Sequence, residues 1–87
     1  MTLLRSRRPA DPEVARAWPL IAEGLTHQGS PRHHLSTMIA ILAGTSSTAG
    51  WDEFGLDVLA DHVTVSFLQD EVCCSRAVLL AELSALR

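Results

Sequence analysis

The chain has no lysine; all seven of its basic residues are arginine. It has two cysteines, at neighbouring positions 73 and 74, and few aromatic residues, 5% of the total. No run of 18 apolar residues occurs, so no membrane-spanning helix is expected. There is no C-x-x-C and no H-x-x-x-H, the spacings that place zinc ligands on one side of a turn or helix. The small polar stretch Thr45–Gly50, TSSTAG, lacks both the glycine spacing and the following lysine of a phosphate-binding loop. It reads instead as a linker. MTLLRSRRPA carries arginines without an apolar stretch behind them, so no secretory signal is expected. Side by side on a helix, Cys73 and Cys74 would point about 100° apart and could not easily bond to each other. Free thiols of this kind imply a reducing, cytoplasmic location.

What is present is mostly apolar. Hydrophobic residues make up 47% of the chain and charged residues 20%, which excludes a disordered chain on composition. Mean hydropathy is +0.17, high for a domain of 87 residues that can bury only a modest core. Part of that apolar surface is therefore expected in an interface. The net charge of −3 is unevenly spread. Residues 1–34 hold five arginines against three acids, whereas residues 35–87 hold two arginines against seven acids. A basic end and an acidic body could pair between subunits, and the acidic body does not suit a nucleic-acid surface.

The apolar spacing predicts helices. Asp11-Pro12-Glu13 is a start signal, with a capping aspartate and proline at the first helical position. Val14, Ala17, Trp18, Ile21, Ala22 and Leu25 then share a face, and Pro19 inside that pattern predicts a kinked helix over 12–27. Ser30-Pro31 repeats the start, Leu35, Met38, Ile39 and Leu42 follow at helical spacing, and Gly44 stops a second helix over 31–43. Trp51, Phe54, Val58, Leu59 and His62 fall at offsets 0, 3, 7, 8 and 11, which predicts a third helix over 51–62. Ser66-x-x-Gln69 matches a capping box. Beyond it Val72, Leu79, Leu83 and Leu86 continue an apolar stripe, predicting a last helix over 66–86. The expected fold is all-α: a small antiparallel bundle of four to five helices over residues 11–87, with residues 1–10 as an arginine-containing tail.

Four kinds of chemistry can be asked of these residues. His27, His33, His34 and His62 with Cys73 and Cys74 are suitable ligand types, but their spacing forms no metal motif, so no metal is expected. A catalytic thiol at Cys73 or Cys74, with His62 as base, would need a lowered pKa, and Asp70 and Glu71 work against that. The carboxylate pairs Asp52/Glu53, Asp57/Asp61 and Asp70/Glu71 read as solvated charges. No enzyme activity and no cofactor are expected. The run Leu59–Ser66, LADHVTVS, resembles the LA-x-x-x-G-V-S run of helix-turn-helix DNA-binding domains. That resemblance implies a DNA-binding regulator as the alternative reading. Thr64 departs from it where the turn usually has glycine, and Asp70 where an aliphatic residue is usual.

The expectation reached from composition is a non-catalytic helical module that binds protein, either itself or another subunit, as a homo-oligomer or part of a complex. Trp18 and Trp51, of the residue type enriched at binding hot spots, and the Arg5, Arg7 and Arg8 cluster are its candidate interaction residues.

Overall fold

The computed structural model describes residues 9–27, 31–44, 47–51 and 53–86. Two helices come first, α1 (Pro12–His27) and α2 (Pro31–Gly44). Four strands follow, β1 (Ser47–Trp51), β2 (Phe54–Leu59), β3 (His62–Phe67) and β4 (Asp70–Ser75), and the chain closes on α3 (Arg76–Ser84). The strands form one antiparallel sheet in the order β1-β2-β3-β4. The fold is α+β, and the expected all-α bundle is corrected. Trp51 ends a strand, Ser47–Gly50 form its body rather than a linker, and 66–75 are strand and turn rather than helix.

The two leading helices form for the reasons their sequences give. The Asp11 carboxylate accepts from the amides of Glu13 (2.9 Å) and Val14 (3.2 Å), satisfying two of the orphan donors at the start of α1. One helix runs through Pro19, whose ring lies on the exposed side. Val14, Ala17, Trp18, Ile21 and Leu25 are buried on the other side. In α2 the buried residues are His34, Leu35, Met38, Ile39 and Leu42.

The strands alternate with period two. Phe54, Leu56 and Val58 in β2, Val63 and Val65 in β3, and Cys74 in β4 are buried. Register sets Leu56, Val65 and Val72 in one row and Val58, Val63 and Cys74 in the next. This inner face is covered by α1, which crosses β4, β3 and β2. α2 packs against α1 and α3, α3 also contacts β4 and β3, and its Leu79 and Leu83 are fully buried. The interior is thus one layer of helices on one face of one sheet.

One glycine makes the helix–sheet contact close. A Cβ on Gly24 of α1 would stand inside the ring of Phe54. Gly24 is buried and Phe54 is 1% exposed. The missing side chain is what lets the ring lie against the helix backbone.

The β2–β3 and β3–β4 hairpins lack the residues that usually make such tight turns. The β2–β3 turn is Ala60-Asp61 and the β3–β4 turn is Leu68-Gln69. Ala60 has φ 44° and Leu68 φ 58°, the left-handed region where glycine normally opens a two-residue hairpin. Such a conformation costs a residue with a Cβ about 1–2 kcal/mol. Hydrogen bonds hold both turns. The Leu68 amide donates to the Glu53 carbonyl (3.1 Å), and the Arg76 amide donates to the Asp61 carbonyl (2.8 Å).

Candidate interaction surface

The residues with chemical potential are dispersed. His34 is buried, and its Nδ1 donates to the carbonyl of Leu25 (3.3 Å), one of the last carbonyls of α1. It ties the start of α2 to the end of α1. His33 beside it is exposed. His62 is an exposed strand residue on the sheet's outer face and not, as the helical spacing suggested, on an apolar helix face. Among the described residues, no three His, Cys, Asp or Glu side chains come together as a metal site.

The two cysteines part company because strand neighbours point to opposite faces. Cys74 is buried among the core residues, and Cys73 is exposed on the outer face. Burial, then the neighbouring Cys73 and the carboxylates of Glu13 and Asp11, push the Cys74 thiol from 9.0 up to about 11. It is a small core hydrophobe rather than a nucleophile.

Of the expected interaction residues, Trp18 is 8% exposed and packs in the core, its Nε1 buried without a hydrogen-bond partner among the described residues. Trp51 pairs with Phe54 across the β1–β2 turn. Arg5, Arg7 and Arg8 lie outside the described residues. Leu59–Ser66, the run that resembled a helix-turn-helix, forms the end of β2, a two-residue turn and most of β3. That motif is not formed.

Arg76 is one of the two arginines among residues 35–87. It is the first residue of α3, capped by Ser75, whose Oγ accepts from the Val78 amide (3.5 Å). Its Nε donates to the carbonyl of Leu42 (2.8 Å) and its Nη1 to that of Ala60 (3.0 Å). One side chain therefore joins the C-terminal end of α2, the strained β2–β3 turn and the start of α3. Beside it opens a cleft of about 500 Å³ bounded by Leu42, Ala60, Asp61 and Leu80.

The remaining surface is the sheet itself. Its outer face is polar and small: Asp57, Thr64 and Cys73 share one row, Gly55, Ser66 and Glu71 the next, and Leu59, His62 and Ser75 a third. Leu59 is 62% exposed there. At the border of this face runs β4. The two-residue turn makes Phe67 and Asp70 a hydrogen-bonded pair, so in the alternating antiparallel pattern Asp70, Val72 and Cys74 bond to β3. The backbone groups of Glu71 and Cys73 point away from β3, and among the described residues neither has a hydrogen bond beyond the ladder. Both residues are exposed. Among the described residues β4 is a free edge, six residues long, in regular register, without proline or lysine.

No family model matches this chain, and neither curated proteins nor solved structures give a match. No helix of the described residues is long and apolar enough to cross a membrane.

Proposed function

We propose that this chain is a non-catalytic protein–protein interaction module that associates with itself, working as a homo-oligomer or small subunit. The observation that supports this reading is the unpaired edge of β4. A row of free backbone donors and acceptors is a template for another strand, and natural proteins usually blunt such an edge with lysine, proline or a bulge. β4 has none of the three. Its charges are Asp70 and Glu71, gathered at one end. The high apolar content of so short a chain points the same way. A cytoplasmic location belongs to this proposal and rests on the two free thiols.

The test is absolute molar mass by light scattering behind a sizing column, over a wide range of concentration. The reading predicts a mass that is a multiple of 9.4 kDa, at least at the higher concentrations. A constant 9.4 kDa throughout would remove self-association.

A further inference from the structure

The edge also says how two copies would meet. We infer that this chain dimerises about a two-fold axis through Cys73, with β4 of one copy antiparallel to β4 of another, making one continuous eight-stranded sheet. This inference rests on the self-association reading above and names its surface.

The geometry restricts the register. An edge pair must oppose residues whose backbone groups face outward, which are Glu71, Cys73 and Ser75. A two-fold at Glu71 would place two carboxylates directly opposite, which is destabilising. A two-fold at Cys73 places Cys73 opposite Cys73 of the second copy and Glu71 opposite Ser75 of the second copy. Beyond Ser75 the chain turns into α3, so Asp70 of the second copy comes beside the start of that helix and Arg76.

Charge complementarity follows from the order of residues along β4. Its start carries Asp70 and Glu71, and its end leads directly into the N-terminus of α3 with Arg76. A strand that is negative at one end and positive at the other complements itself when reversed. The positive end of a helix dipole adds to the attraction. Among the described residues, two of the five guanidinium donors of Arg76 are engaged, by the Leu42 and Ala60 carbonyls. A register centred on Val72 would instead set Glu71 opposite Cys73 and leave the acids short of Arg76. The side chains of Glu71, Cys73 and Ser75 all lie on the outer face, opposite the face that α1 covers.

The exposed thiol makes the register measurable. In this dimer the two Cys73 side chains are cross-strand neighbours on one face, whereas Cys74 points into each core. A short bis-maleimide added to the native protein should join two chains, and Cys73→Ser should abolish the joined species without changing the molar mass. Glu71→Lys should weaken the dimer about tenfold, because the effect acts at two symmetric sites beside a helix N-terminus. High salt should do the same to the wild type. A chain that is a dimer by mass but whose Cys73 accepts a single maleimide and is never joined would overturn the edge pairing and leave self-association standing. A dimer unaffected by Glu71→Lys, in protein whose melting shows it folded, would also overturn it. A monomer at every concentration would overturn both.

Discussion

At the scale of single residues, the least legible feature was Gly24. In sequence it is a weak point within a helix, where glycine costs about 1 kcal/mol relative to alanine. In the structure it is the floor on which the Phe54 ring rests. Gly24→Ala is therefore expected to destabilise by about 1–3 kcal/mol through overpacking, despite its better helix propensity. Urea unfolding decides it, since a gain in stability would mean that the ring does not lie there. The cysteines give a second expectation. A thiol reagent should modify Cys73 quickly in the folded protein and Cys74 only on unfolding. The Cys74 thiol is raised in the folded state, so the stability it contributes is intact below about pH 9 and falls as pH rises through about 11. Unfolding midpoints measured on both sides of that window should show the fall, and Cys74→Ala should flatten it.

At the scale of elements, the helices that start with Asp11-Pro12 and Ser30-Pro31 were readable because cap, proline and periodicity agree. The sheet was hidden for a physical reason. Phe54, Val58, Leu59 and His62 fit a helical spacing, but the buried set is Phe54, Leu56 and Val58, with period two. The β-branched run Val63-Thr64-Val65 is the middle of β3. Neither hairpin carries the Asn-Gly or Gly-x pair that would have announced it. Ala60 and Leu68 adopt the left-handed conformation instead. Ser66-x-x-Gln69 imitated a capping box, and the cap that forms is Ser75. Arg76 is what joins these elements, and nothing in a linear reading could show that its guanidinium reaches a carbonyl 34 residues away. Arg76→Met should cost about 1–3 kcal/mol by leaving the Leu42 and Ala60 carbonyls without their charged donor. Thermal melts provide the comparison. A variant as stable as wild type would show that water replaces Arg76 at no cost.

At the scale of the whole molecule, the residues expected to be interior were largely found there even though the architecture was misread. Leu42 and Leu83, read from helical stripes, are both fully buried. Leu42→Ala and Leu83→Ala should each cost about 2–5 kcal/mol, and denaturant titration would reveal a misplaced core if either were neutral. The candidate surface was not legible, because an edge exists only once the strands are ordered in space. Composition pointed to an interface, and the proposed edge pairing would give it a direction and a register. The most direct measurement is amide hydrogen exchange of β4 at low and high protein concentration. Edge pairing predicts that the Glu71 and Cys73 amides exchange freely in dilute protein and become protected as concentration rises, while the Val72 and Cys74 amides are protected throughout. Free exchange of Glu71 and Cys73 at both concentrations would contradict it.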